Sequence, residues 1–378
     1  MDFELTEEQR LLRDSVDRLV ADHYAFDKRK AYLADPEGWS RALWSQYAEL
    51  GLLGLPFAEN YGGFGGGAVD VMLVMEAFGR VLALEPYLAT VVLGGTALRL
   101  AGNEEQKSAL LPQIAEGKLL LAFAHGERQA RYDLTDVLTT ARPKRAGWVL
   151  DGAKSVVLHG DSAQRLVVSA RTAGERDDPD GITLFIVDAA ANGVARRSYP
   201  MRDGTRAAEF SLSGVEIGRE DVLGNVGAAL PIIERVVEAG IAATAAEAVG
   251  AMEALQALTL EYLKTRQQFG RPIGDNQVLQ HRAAEMLMEL ERGRSMAMLA
   301  AMMVEEPDAA ERAHNIAMAK VGVGQASKFV SQNAIQLHGG IGMTEEYAVG
   351  HYFRRCMVIE HLFGDTAHHL SRLAEQVR

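Results

Sequence analysis

The chain has 378 residues, 48% of them hydrophobic, which suggests two or three domains with cores large enough to need no disulfide staples. Acidic residues outnumber basic ones 51 to 39, and the net charge of -12 repels phosphate, so a general nucleic-acid or anionic-membrane binder is excluded. The one cysteine, Cys356, excludes an internal disulfide framework and a Cys-rich metal site, and it fits a reducing compartment. The opening segment Met1–Asp14 is acidic and amphipathic and has no apolar stretch of signal-peptide type. No apolar run approaches the ~20 residues of a membrane span, so the expectation is a cytoplasmic multidomain protein.

In chain order, Thr6 and Gln9 form a capping box ahead of an apolar stripe at Leu12, Val16 and Leu19, which predicts a first helix. Helical patterning follows at Trp39–Leu50, Val69–Leu82, Pro86–Gly102 and Glu104–Ile114. Between them, the glycine loop Gly62–Gly67 follows a helical segment rather than a strand. It reads as a turn and not as a dinucleotide fingerprint.

The period then changes. Trp148–Gly152, Leu166–Ala170, Ile182–Val187 and Glu209–Leu212 are short, β-branched or aromatic, and separated by turn residues. With no helix-length segment between them, they predict antiparallel strands in a small barrel or sandwich. The polar stretch Ala173–Asp180 reads as a surface hairpin loop. From Asn225 onward Ala, Leu, Met, Glu and Arg dominate, and Ala229–Thr265, Gln277–Val304 and Asp308–Leu337 are long enough for bundle helices. The predicted organisation is a helical domain over residues 1–120, a β-domain over 121–224 and a helical bundle over 225–378.

Local motifs give this order a family. Leu50–Gly54 with Glu59–Gly63, Glu105-Gln-Lys through Leu111-Pro112 to Gly117, Trp148–Lys154, Arg266–Gly270 followed by Gln277, and Gln336–Gly340 with Gly342 and Tyr347 together resemble the acyl-CoA dehydrogenase family along nearly the whole chain. The resemblance implies an α+β multidomain fold: an N-terminal helical domain, a middle antiparallel β-barrel or sandwich, and a C-terminal four-helix bundle. It implies FAD, an acyl-CoA substrate, acyl-chain catabolism, self-association into a dimer or a dimer of dimers, and an electron-transfer acceptor. The chemistry needs a carboxylate within hydrogen-bond reach of a weakly acidic α-proton, while the flavin accepts the β-hydride.

On the positions that match, the resemblance implies that Arg266, Phe269, Gln277, Gln336, Leu337, Gly339, Gly340 and Thr366 bind FAD, mostly its ADP half and across a subunit interface. A guanidinium suits the pyrophosphate, an aromatic ring packs on adenine or ribose, and glycines let backbone N–H groups approach phosphate. By local signal alone, Arg266 serves equally as a helix-end residue and the glycines as a turn.

Three departures from the family stand out. In Phe123–Asp133, Glu127 and Asp133 align, but Gly126 takes the slot of a flavin-contacting Thr. In Val156–Gly160, Val156 replaces the ring-packing Trp and Leu158 a hydrogen-bonding Thr. In Leu362–Thr366, Gly364 takes the slot of the catalytic Glu, and Gly240 occupies the alternative base position on an earlier helix. Asp365, one residue displaced and one methylene shorter, is the candidate base, and a misplacement of about 1 Å costs ~100-fold in rate. Glu238 and Glu247 read as ordinary charges on a helix face. His338, His361, His368 and His369 lack the HExxH spacing and read as solvated or helix-end histidines rather than metal ligands, so no metal is expected.

Three readings remain open at this point. The chain is a subunit that completes a partner's FAD site, or a self-sufficient dehydrogenase using Asp365, or a helical scaffold without cofactor.

Overall fold

A computed structural model describes residues 5–376. In chain order the helices α1 (Glu7–His23), α2 (Phe26–Ala34), α3 (Arg41–Glu49), α4 (Ala68–Val81), a π-helical stretch Leu88–Gly94, α5 (Gly95–Ala101) and α6 (Glu104–Ala115) come first. Strands β1 (Leu121–Ala124), β2 (Thr140–Lys144), β3 (Gly147–Leu158), β4 (Arg165–Arg171), β5 (Ile182–Asp188), β6 (Val194–Pro200), β7 (Arg206–Gly218) and β8 (Val222–Leu223) follow. The chain ends with α7 (Leu230–Thr265), a hairpin of β9 (Gln267–Gln268) and β10 (Arg271–Pro272), then α8 (Gln277–Met303), α9 (Ala309–His338), α10 (Ala348–His361) and α11 (Thr366–Gln376). Helix, sheet and helix thus succeed one another as the composition requires. Sequence periodicity missed β1, β2, β6 and β8. β6 reads as polar because four of its seven residues in succession, Ala195–Ser198, are exposed on both faces of an edge strand.

By contact density the described chain forms two compact units. One comprises the described parts of Met1–Tyr32, Ala68–Ala83 and Ile241–Arg378; the other comprises Leu33–Gly67 and Leu84–Gly240.

The helical unit is built on α7, α8, α9 and α10, whose Ala, Val, Leu and Met side chains pack into one core that includes Met252, Leu255, Met286, Val323, Val330, Leu337 and Ile359. α8 and α9 run antiparallel. Arg282 near the start of α8 reaches Asn333 near the end of α9 (2.7 Å), and Met296 near the far end of α8 packs over Gly322. Two charge clusters, one buried and one partly exposed, fasten the helices. Arg355 on α10 makes a two-pronged ion pair with Glu247 on α7 (2.6 and 2.7 Å), and Arg80 on α4 joins Asp17, Glu76 and Glu253. Glu247 and Glu238 are both buried, which corrects the expectation of surface helix charges. The helical pattern could not reveal this, because the partner Arg355 lies 108 residues away. α1 begins at the expected capping box, with Thr6 and Gln9 exchanging backbone and side-chain hydrogen bonds.

In the second unit the sheet order is β6-β7-β3-β2-β4-β5-β8, with β1 pairing on β4. Most pairings are antiparallel, but β1 and β2 run parallel to β4, so the sheet is mixed. Parallel pairing requires a crossover. Here the chain supplies one by passing through β2 and β3 before β4 lies beside β1. Ala173–Asp180 is the β4–β5 hairpin loop, and Arg171 holds it by donating to the carbonyls of Asp178, Asp180 and Arg176. Gly62–Gly67 forms no strand–turn–helix unit.

Candidate functional site

The site residues of the helical unit fall into two groups. The first lies where α7 and α9 end. Tyr262 stacks on His338 with ring centroids 4.5 Å apart, which sets the two helix ends side by side. Arg266 continues the last turn of α7, its N–H donating to the Tyr262 carbonyl (2.8 Å). β9 and β10 then turn through Phe269 and Gly270, both left-handed at φ 55° and 80°, the requirement of a tight two-residue hairpin. The turn leaves Phe269 with a relative exposure of 101%, an apolar ring with nothing packed on it among the described residues. Arg266, Gln277 and Gln336 are exposed as well. α9 ends at Gly339, whose N–H returns to the Gln336 carbonyl, and a Cβ placed on Gly339 or Gly340 would meet no atom within 4 Å. Leu337 differs from its neighbours. Its side chain belongs to the helical core, so only its backbone faces outward chemistry.

An exposed guanidinium, an exposed aromatic face and an uncovered glycine backbone fit a ligand carrying a diphosphate and a flat base.

The second group is the corner between α10 and α11. Gly364 has φ 103° and lies against the histidines of α11: a Cβ there would stand 2.5 Å from His369 Nε2 and 2.7 Å from His368 Cδ2. Asp365 caps α11, its Oδ1 accepting the His368 N–H (2.9 Å), and this hydrogen bond holds its carboxyl below the usual range. Thr366 donates its N–H to Glu360 Oε1 (2.9 Å) and faces Gly324 in the middle of α9. Gly324 and Gln336 are twelve positions apart, which at 1.5 Å per residue separates the two groups by ~18 Å along α9. Within one helical unit, therefore, Asp365 and Thr366 do not meet Arg266, Phe269 or the glycines.

Two parts of this corner escaped the sequence. His369 is buried, its Nε2–H donates to the Phe363 carbonyl (3.0 Å), and burial pushes its imidazole down to about 4, so it is not a solvated histidine. Lys320 is buried on α9, donates to the Ile359 carbonyl (2.6 Å), and is pushed by burial down to about 8. Neither has a local signal, since each lies on a helix whose pattern is otherwise ordinary. His338 sits at the end of α9, as its position suggested, and His361 is exposed.

In the sheet unit, Glu127 and Lys154 form a buried ion pair (2.6 Å) beside His125 and Ser169. The Glu127 carboxylate also accepts from the N–H groups of Leu138 and Thr139 and from Gln129. One carboxylate thus ties the loop Gly126–Thr139 to β3. Burial alone would raise Glu127, but the Lys154 charge and these donors outweigh it and hold it at about 2. A register shift between Lys154 and Val157 marks a bulge in β3 that turns Val156 outward, half exposed and left-handed at φ 52°. A β-branched residue in that region is strained by ~1–3 kcal/mol. Beside it, the Ser155 N–H donates to the Gly126 carbonyl (2.8 Å). The bulge is present, yet Gly126, Val156 and Leu158 offer neither a hydroxyl nor an aromatic ring to a flavin. The side-chain fit to the cofactor is therefore good for the ADP half and poor for the ring.

Among the described residues no helix is long and apolar enough to cross a membrane.

Residues 6–118 match the N-terminal domain of acyl-CoA dehydrogenases, 122–216 the middle domain and 231–378 the C-terminal domain. A probable acyl-CoA dehydrogenase of Bacillus subtilis is 31% identical over 381 residues, covering 99% of this chain and 98% of that protein. The structure of butyryl-CoA dehydrogenase from Megasphaera elsdenii superposes at a TM-score of 0.91 with 27% identity, covering 100% of both chains. A chain in a structure titled for the electron transferring flavoprotein of Acidaminococcus fermentans superposes at 0.92 with 29% identity, covering 100% of this chain and 99% of that one.

Proposed function

The chain belongs to the acyl-CoA dehydrogenase family of flavin-dependent oxidoreductases acting on acyl-CoA, and on that premise we propose that it works as one subunit of a heteromeric FAD enzyme, completing the cofactor site of a partner that carries the catalytic carboxylate. The observation that carries this reading is Gly364. It stands in the family's Glu slot with a left-handed backbone and no room for a Cβ under His369. Its neighbour Asp365 is engaged as a helix cap.

When bound, FAD supplies the hydride acceptor for dehydrogenation of the thioester. Arg266 neutralises its diphosphate, the exposed Phe269 ring packs on the adenine side, and the Gly339 and Gly340 N–H groups approach phosphate. Gln277, Gln336 and the Leu337 backbone complete that end, and Thr366 serves the second group. The ~18 Å between the groups suits an elongated cofactor or two sites shared between copies. Acyl-CoA is the substrate of the assembly. The likeness to a structure titled for an electron transferring flavoprotein supports an electron-transfer protein as acceptor. A reduced, buried Cys356 is in keeping with a cytoplasmic site of action.

Purification of the native, untagged complex tests this. A second family chain with a Glu in the slot of Gly364, co-purifying with stoichiometric flavin absorbance, is the expected result. A homo-oligomer that dehydrogenates acyl-CoA unaided would establish the self-sufficient reading, and a colourless preparation without cofactor the scaffold.

A further inference from the structure

A cavity of about 580 Å³ lies wholly within the sheet unit, between the β3–β4 turn, the end of β5, the edge strand β6 and the segment leading into α3. That volume falls in the range of small-molecule sites. None of the residues assigned to flavin lines it.

Its polar lining is unevenly paired. Arg41 is paired with Glu37 (2.8 Å), Arg206 with Asp161 (2.6 Å) and Arg165 with Asp188. Arg196 also lines the cavity, and its guanidinium has no ion-pair partner among the described residues. It stands two positions from Ser198 on β6, so both side chains project from the same face of that strand. Opposite in character is Asp161. Its side chain is 6% exposed, Oδ2 takes the Arg206 hydrogen bond, and Oδ1 is buried with no hydrogen-bond partner. A buried carboxylate oxygen is stable only with a donor. Ser162 beside it accepts from Trp39 Nε1 (3.1 Å), which leaves the serine hydroxyl hydrogen free to point elsewhere.

The wall thus presents one surplus cation with a neighbouring hydroxyl, and one acceptor that lacks a donor. We propose that this cavity binds a small hydroxylated oxyanion, a phosphate or carboxylate on a short carbon chain that also bears a hydroxyl group. Arg196 and Ser198 receive the oxyanion, and Asp161 Oδ1 accepts the ligand hydroxyl.

Calorimetric titration of the purified full-length protein tests it, with glycerol 3-phosphate and glycerate as probes and inorganic phosphate and glycerol as controls. At least one of the two probes is expected to bind with a millimolar dissociation constant, more tightly than inorganic phosphate or glycerol. Which of the two binds identifies the source as phosphate or carboxylate. Arg196→Gln, at an exposed position, should weaken binding about tenfold or more, the scale of a charge-assisted hydrogen bond. Asp161→Asn should erase the advantage of the hydroxylated probe. Should that variant fail to fold, the wild-type comparison of glycerol 3-phosphate with inorganic phosphate reads the same contact. No binding of either probe at roughly ten millimolar, a bound probe that is held no more tightly than inorganic phosphate, or unchanged affinity in Arg196→Gln would each overturn the assignment.

Discussion

Gly364 lies under the imidazole of His369, so that a Cβ on the glycine would stand 2.5 Å from Nε2. Its φ of 103° belongs to a region that L side chains rarely adopt. The slot that resembles the family's base position is thus closed twice, by backbone conformation and by a buried ring.

This closure makes a restoration experiment informative. Gly364→Glu should destabilise the helical unit by about 2–4 kcal/mol, from backbone strain together with overpacking against His368 and His369. It should not create acyl-CoA dehydrogenation in the isolated chain. Chemical denaturation and a dye-linked assay read the two effects. A stable Gly364→Glu protein that turns over acyl-CoA would show that the corner reshapes freely.

Asp365 invites a pair of substitutions. As the cap of α11 it needs only an acceptor for the His368 N–H, and asparagine supplies one as well as aspartate does. Asp365→Asn should leave stability and the flavin-reduction rate of the assembled enzyme nearly unchanged, whereas Asp365→Ala should cost ~0.5–2 kcal/mol of stability. A general base at this position would instead lose ~100-fold or more in Asp365→Asn, measured by anaerobic stopped flow. The depressed pKa of its carboxyl also makes it a weaker base.

The order of helices and strands was legible because period and composition change together near Leu121 and again near Leu230. The hairpin carrying Phe269 was legible only as a motif. Its physical cause, two consecutive left-handed residues, appears in the backbone alone. The roles of Glu127, Glu247 and His369 were not legible, because each depends on what lies opposite. Lys154 is 27 residues from Glu127, Arg355 is 108 from Glu247, and the space His369 fills is set by how the α10–α11 corner closes. Charged residues inside strands and helices look alike in sequence whether they end buried or solvated.

Arg266 and Phe269 should govern cofactor retention rather than folding, since both are exposed. Arg266→Ala should lower FAD affinity of the assembly about tenfold to a hundredfold through loss of a charge-assisted phosphate contact. Phe269→Ala should weaken it by removing a face for the adenine, with thermal stability of the apo chain unchanged. Flavin stoichiometry by absorbance after gel filtration checks both. Full flavin occupancy in the double variant would remove the hairpin from the cofactor site.

The sheet unit should lose stability on acidification through two groups that act in overlapping windows. Burial, reinforced by the Lys154 charge, holds His125 down to about 3 against an unfolded value of 6.5. As pH falls from 6.5 to 3 the unfolded chain therefore binds a proton that the folded chain refuses. Glu127, held at about 2 against 4.5, contributes stability that is complete above 4.5 and is lost as pH falls toward 2. Each group adds at most ~1.4 kcal/mol per pH unit to the slope of stability with pH. Lys154 acts with the same sign in an alkaline window: burial lowers it to about 8 from 10.5, so stability rises with pH between those values. His125→Gln should flatten the slope by close to one proton from pH 6.5 down to about 3, leaving only the Glu127 contribution below 4.5. Glu127→Gln should remove the Glu127 share of the slope below pH 4.5, and it should strip Lys154 of its counter-charge, making the unit less stable at neutral pH. Urea titrations at half-unit pH intervals measure these slopes, and a His125→Gln profile parallel to that of the native chain would show that the imidazole titrates freely in the folded state.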